Sequence, residues 1–203
     1  MNAFKLCSFD VFNTLIKAKH VGQVYSDTAT LIGIISNPQH LNNAFKTVFN
    51  QYKHMNKNND FWRLVICNTF LLNNIKLPQS TDYSLFIKAY TSSSAYTLVP
   101  GAKEGYSIMK SLNIPMLVIS NSDERFKSIL REFGFNFTEY IFTADTLLNK
   151  SLVSSWDLWY KQYNQKYNLT KKQWLHIGDD LIEDKQIPES IGITSKTIKE
   201  LTS

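Results

Sequence analysis

An apolar run, Phe4-Lys5-Leu6-Cys7-Ser8-Phe9, ends on Asp10, and Thr14 follows four residues later. A second run, Trp174-Leu175-His176-Ile177, leads into Gly178-Asp179-Asp180-Leu181-Ile182-Glu183-Asp184. If both runs are strands of one parallel sheet, their carboxylates meet at its C-terminal edge, where α/β folds carry their ligands. Carboxylates gathered there suit Mg²⁺, a hard cation that takes carboxylate and phosphate oxygens. Between them, the run Met116-Leu117-Val118-Ile119 ends in Ser120 and Asn121. A hydroxyl and an amide at a strand end, next to a helix start, favour an anion. Each position also has a plainer role open to it. Asp10 can be a turn residue or helix cap, and Asp179-Asp180 can cap the helix that follows. Ser120, Ser122 or Asp123 can cap the next helix, and Lys150 can be a surface charge. His176 reads as a strand residue with a packing role, and Glu183 as solvent-facing.

The elements that must position these groups are legible as an alternating pattern. The first strand covers about residues 4–10. After the Pro100-Gly101-Ala102 turn a helix runs through Leu112, and Met116–Ile119 is a short buried strand. Phe126 to Phe133 is helical and closes at Gly134. Tyr140-Ile141-Phe142 is a strand, Leu152 to Tyr167 a helix, Trp174 to Ile177 a strand, and Ile193 to Ile198 the last strand. Alternation of this kind calls for a parallel sheet covered on both faces. Between about 16 and 97 the periodicity is helical only. Val21, Val24, Tyr25 and Thr28 form one stripe, and Leu41, Ala44, Phe45, Val48, Phe49 and Tyr52 another. Phe61, Trp62, Val65, Ile66, Thr69 and Phe70 form a third, and Tyr83, Phe86, Ile87 and Tyr90 a fourth. Turn chemistry separates them: Ser36-Asn37-Pro38, the stretch 56–60, and Pro78-Gln79-Ser80. The organisation expected is a Rossmann-like α/β core, 1–15 with 98–203, and an all-helical insertion over 16–97.

Composition narrows the function. The chain has 203 residues, 43% of them hydrophobic, enough for a core with an insertion. No apolar run approaches the roughly 20 residues that span a bilayer, so no membrane is expected. The net charge of +5 comes from scattered lysines, and nucleic-acid binding would want a denser stripe. A mildly positive field favours anionic substrates. Cys7 and Cys67 read as small buried hydrophobes rather than a disulfide framework. With no leader pattern at the N-terminus, an intracellular, cytoplasmic setting is expected.

The order Asp10, Ser120-Asn121, Lys150, Asp179-Asp180 with Asp184, and a helical stretch between the first two, resembles the haloacid dehalogenase-like (HAD) superfamily across the whole chain. The resemblance implies Asp10 as a nucleophile that forms an aspartyl-phosphate, which water then hydrolyses. It implies Mg²⁺ held by the Asp10 carboxylate, the backbone carbonyl of Phe12 and Asp179, with Asp184 and secondarily Asp180 in support. Thr14, Ser120, Asn121 and Lys150 would receive the phosphate, and Lys150 would balance its charge. The insertion would be a cap that moves as a unit about a hinge at Ser92-Ser93-Ser94. The substrate would be a small phosphorylated or otherwise anionic molecule. Three carboxylates converging with no lysine among them should repel one another unless a cation is present.

The pattern departs from the superfamily at two places. Ser151 stands where a proline usually follows the lysine. More seriously, Phe12 stands where phosphatases carry a second aspartate that protonates the leaving group. Losing such an acid–base group costs about 10²–10⁴-fold in rate, and the Asn13 amide cannot substitute. A Mg²⁺-dependent phosphatase of reduced power is the expected function. The alternatives are a catalytically impaired binding or regulatory protein and a 2-haloacid dehalogenase-type hydrolase. The last wants a cap arginine, and Arg63 is the sole arginine before Ser120.

Overall fold

A computed structural model describes residues 4–55, 58–144 and 146–203. Asn56 and Lys57 of the expected turn at 56–60 lie outside the described residues. The chain divides into two compact units, Met1–Lys17 with Leu98–Ser203, and Ala18–Thr97.

The first unit is built on β1 (Leu6–Phe9), β4 (Met116–Ser120), β5 (Glu139–Phe142), β6 (Trp174–Ile177) and β7 (Thr194–Lys196). They form one sheet in the order β5-β4-β1-β6-β7, with every pairing parallel. The helices α5 (Ala102–Ser111), α6 (Phe126–Glu132), α7 (Val153–Tyr167), α8 (Ile187–Ser190) and α9 (Ile198–Thr202) connect the strands. The architecture is therefore the Rossmann-like α/β arrangement expected from the alternation. Period-two geometry explains its two faces. Leu6, Leu117, Ile119 and Trp174 pack with Trp156, Trp159 and Tyr163 of α7 in one buried cluster. Phe9 turns to the opposite face and meets Tyr106 and Phe137.

Parallel register aligns the strand ends: Ser8 lies opposite His176, and Phe9 lies opposite both Val118 and Ile177. Residues one step beyond these strands, Asp10 and Gly178-Asp179, leave the sheet together. Beyond Asp10 the chain folds into a tight loop. The N–H groups of Leu15 and Ile16 both donate to the Val11 carbonyl, and that of Asn13 donates to Ile16. Asn13 has φ 54°, a left-handed conformation that asparagine tolerates. After β6 the chain enters a π-helical turn, Leu181–Gln186. This form is rare and often found at functional sites.

The second unit is helical: α1 (Val21–Thr30), α2 (Pro38–Tyr52), α3 (Asn59–Leu71) and α4 (Ser84–Lys88). Asn37 caps α2 through its side-chain oxygen, with Pro38 in the first turn. Tyr25, Leu41, Ile66, Phe70 and Phe86 form its main core. Gly22 lets α1 approach α2, because a Cβ there would overlap the Pro38 carbonyl oxygen.

Two expectations about elements need correction. The stretch 16–97 is not helical only: β2 (Ile16–Ala18) and β3 (Tyr96–Leu98) pair as a two-stranded sheet. Strands of three residues are too short for a period-two pattern to register. Ile198 starts α9 rather than ending β7, because Thr197 and Glu200 form a capping box there.

Candidate active site

Asp10, Asp179 and Asp184 each offer a carboxylate oxygen, and these oxygens all lie within 4.8 Å of one another. Asp10 is placed by the end of β1 and Asp179 by the end of β6. Asp184 returns from the π-helical turn. Its approach depends on Gly178, where any Cβ would collide with the Asp184 carboxylate. Asp10 and Asp184 are buried, and Asp179 is exposed.

The cluster is not free of lysine, which corrects the expectation of three mutually repelling carboxylates. Lys150 Nζ lies 2.6 Å from Asp10 Oδ1 and 2.6 Å from Asp184 Oδ1. Its side chain is only 3% exposed, and a charge so buried requires partners. The backbone of Lys150 is pinned from both sides. Its N–H donates to Asn121 Oδ1 at 3.0 Å, and its carbonyl accepts from Trp156 Nε1 at 2.8 Å.

Two carboxylates equidistant from one ammonium do not titrate alike. Burial pushes Asp10 up to about 7, with Asp184 and Asp179 adding repulsion and Lys150 opposing. Burial also works against the Asp184 anion, yet Lys150 and His176 outweigh it and hold its carboxyl well below the usual range. The difference lies in donors. Besides Lys150, Asp184 Oδ1 meets His176 Nε2 at 3.0 Å, and its Oδ2 accepts from the Asp180 N–H at 3.1 Å. Partial desolvation by the surrounding cluster and the neighbouring Asp184 raise Asp179, while Lys150, Thr14 and Asn13 partly offset this. Burial lowers the Lys150 ammonium, but the two carboxylates outweigh it and leave the group raised.

The remaining expected site residues divide by what they touch. Thr14 donates from Oγ1 to Asp179 Oδ1 at 3.3 Å. Ser120 is buried at the end of β4 and accepts from Ser122 Oγ at 3.0 Å. Asn121 is a junction. Its Nδ2 donates to Asn149 Oδ1 at 3.1 Å and Glu183 Oε2 at 2.9 Å, and its Oδ1 accepts from Thr143 Oγ1 at 2.8 Å and from Lys150 N. Both amide protons are thus engaged within the protein. Glu183 is consequently half-buried and tied to Asn121, not simply solvent-facing. Asp180 Oδ1 accepts from the N–H groups of Ile182 and Glu183, both at 2.8 Å. That makes its side chain the cap of the helical turn, while its backbone N–H holds Asp184 Oδ2. The Phe12 ring is half-buried and sits edge-on to Phe126, 4.7 Å between centroids. In the helical unit Arg63 is exposed, with its guanidinium 5.2 Å from the Tyr83 ring.

Sequence reading missed His176 as more than packing. It is fully buried, with Nδ1 2.8 Å from Ser8 Oγ and Nε2 on Asp184. The signal available was the pair of polar residues, Ser8 and His176, set among apolar strand neighbours that demand they find partners.

The sheet order and the carboxylate–lysine edge are those of a Rossmann-like α/β protein, and the chain is similar to HAD-like hydrolases in sequence and in fold. It is similar in sequence to haloacid dehalogenase-like hydrolase domain-containing protein 3, at 27% identity with the Xenopus laevis protein over 98% of this chain and 86% of that one. The Homo sapiens protein of the same name is 21% identical over 94% of this chain and 80% of its own length. No family model matches the chain. Among solved structures, magnesium-bound YfnB from Bacillus subtilis has a TM-score of 0.73 at 15% identity, covering 95% of this chain and 87% of that one. A predicted phosphoglycolate phosphatase from Haemophilus somnus has a TM-score of 0.66 at 18% identity, over 96% and 85%. The L-2-haloacid dehalogenase of Xanthobacter autotrophicus has 0.65 at 16%, over 95% and 76%. These structural likenesses concern the fold.

Proposed function

We propose that this protein is a Mg²⁺-dependent phosphatase of reduced power, with Asp10 as nucleophile. The observation that carries the reading is the set of three carboxylates with oxygens within 4.8 Å of one another, joined by Lys150. An all-oxygen donor set fits a hard cation. Asp10, Asp179 and the Phe12 carbonyl would hold Mg²⁺, with Asp184 in support. Bound there, the cation would neutralise charge between an anionic nucleophile and an anionic substrate.

The chain's own residues supply the rest. Asp10 attacks phosphorus, so that a carboxylate O–P bond forms as the ester O–P bond breaks. Lys150, already against Asp10, balances charge on the transferring phosphoryl group. The Ser120 hydroxyl receives a phosphate oxygen. With the Asn121 and Thr14 side chains engaged in the protein, their part is to hold the Lys150 loop and Asp179. Water then cleaves the aspartyl-phosphate. The substrate is a small phosphorylated or other anionic molecule.

Phe12 favours a second reading, a HAD-fold binding or regulatory protein with little turnover, because a phenyl ring transfers no proton. The experiment that separates them varies the leaving group. An activated aryl phosphate leaves without protonation, so the parent should turn it over slowly with Mg²⁺ while an alkyl phosphate is nearly inert. Phe12→Asp should raise alkyl phosphate hydrolysis by about 10²-fold or more, and Asp10→Asn should abolish activity in both backgrounds. No aryl phosphate turnover in either folded protein leaves the binding-protein reading standing.

A further inference from the structure

A hydrogen-bond chain runs through the sheet behind the site and reaches Asp10 by way of Lys150. Trp174 Nε1 lies 2.8 Å from Ser8 Oγ, and Ser8 Oγ lies 2.8 Å from His176 Nδ1. His176 Nε2 lies 3.0 Å from Asp184 Oδ1, the oxygen that Lys150 also holds. Parallel register explains the line-up. Leu6 pairs with Trp174 and Ser8 with His176, so the two polar side chains are neighbours on the face that α7 covers. The Trp156 ring lies 4.8 Å from the His176 ring and closes it in edge-on.

The direction of the chain follows from its ends. An indole N–H can only donate, so Ser8 Oγ accepts from Trp174. An ionised carboxylate can only accept, so at the other end a hydrogen must sit on His176 Nε2. In the neutral imidazole that leaves Nδ1 as a bare acceptor, to which the Ser8 hydroxyl hydrogen is directed. Trp174, Ser8 and His176 are each matched in this buried row, and reversing the ring tautomer would set lone pair against lone pair at Asp184.

We infer that His176 is a positioning residue, fixed by Trp174 and Ser8 as the Nε2–H tautomer, whose donor orients Asp184 and through it keeps Lys150 between Asp184 and Asp10. The inference deepens the function proposed above and rests on it for the roles of Asp184 and Lys150. With its donor in place, Asp184 keeps a fixed orientation, and the ammonium is shared between two carboxylates instead of collapsing onto Asp10. Partners behind a metal site commonly govern affinity in this way, at about 10–100-fold.

The test has two arms. Nitrogen-15 spectra of the metal-free protein should show the His176 ring with a hydrogen on Nε2 and none on Nδ1. A hydrogen on Nδ1, or exchange between tautomers, overturns the inference. Calorimetric titration with Mg²⁺ alone forms the second arm. His176→Leu and His176→Asn should bind about tenfold or more weakly, whereas His176→Gln, whose amide nitrogen reaches the Nε2 place, should restore most of the affinity. Equal affinity in the parent and the leucine variant overturns it. If the leucine and asparagine variants do not fold, the spectra and the glutamine variant decide. A parent that takes up no Mg²⁺ counts against the proposed function, and the ring spectra then decide the inference separately.

Discussion

One ammonium faces two carboxylates in this site, and the donors around each determine which keeps its charge. Asp184 has Lys150, His176 and a backbone N–H, so Asp10 bears the cost of burial. The pH consequence has a definite sign. Burial raises Asp10 to about 7, against about 3.9 in an unfolded chain. Its contribution to stability is therefore present below the unfolded value and lost as pH rises through about 7. Asp184, held low, has the opposite trend, but that is common to parent and variant. In chelator, Asp10→Asn should melt a few degrees above the parent at pH 8, with the gap narrowing toward pH 5; a variant that melts lower at pH 8 contradicts this assignment. At this scale the sequence was partly legible. The carboxylates could be placed because a strand end needs no knowledge of side-chain direction. That Lys150 bridges two of them could not, because a loop residue 140 positions from Asp10 carries no periodic signal. Nor could His176 be paired with Ser8 without the register of β1 against β6.

Strand ends and one amide hold the site's elements together. Asn121, just past β4, joins the Lys150 loop, Thr143 beyond β5 and Glu183 in the π-helical turn. Asn121→Ala leaves the Thr143 hydroxyl and the Lys150 N–H without that partner. Unmet buried groups cost about 1–3 kcal/mol, and each kcal/mol is worth about 2–4 °C in a domain of this size. A fall of about 5 °C in thermal melting is expected, together with weaker phosphate turnover; unchanged melting would show that other contacts hold these loops. The long helices and the five-stranded sheet were readable, since their periodicities persist over several turns or are flanked by clear turn chemistry. The short elements were not. β2 and β3 have three residues each, and the boundary at Ile198 turned on a capping box rather than on hydrophobicity.

The whole chain has a Rossmann-like unit that carries every expected site residue and a helical unit over Ala18–Thr97. Among the described residues no helix is long and apolar enough to cross a membrane. If the carboxylate edge takes Mg²⁺, the cation binds the native state alone and must stabilise it. Lys150 already neutralises part of the cluster, so the gain should be smaller than for an unpaired trio. We expect a rise of a few degrees in melting temperature in millimolar Mg²⁺, removed by Asp179→Asn; an unchanged melting curve in the parent counts against the site. The central claim is that Asp10 is a nucleophile beside a cation. The direct measurement is a crystal structure of the protein soaked with Mg²⁺ and beryllium fluoride, a mimic of the phosphoryl group. Density bonded to an Asp10 carboxylate oxygen is expected, with a cation contacting Asp10, Asp179 and the Phe12 carbonyl. A well-ordered Asp10 still paired with Lys150, bearing neither group, would contradict it.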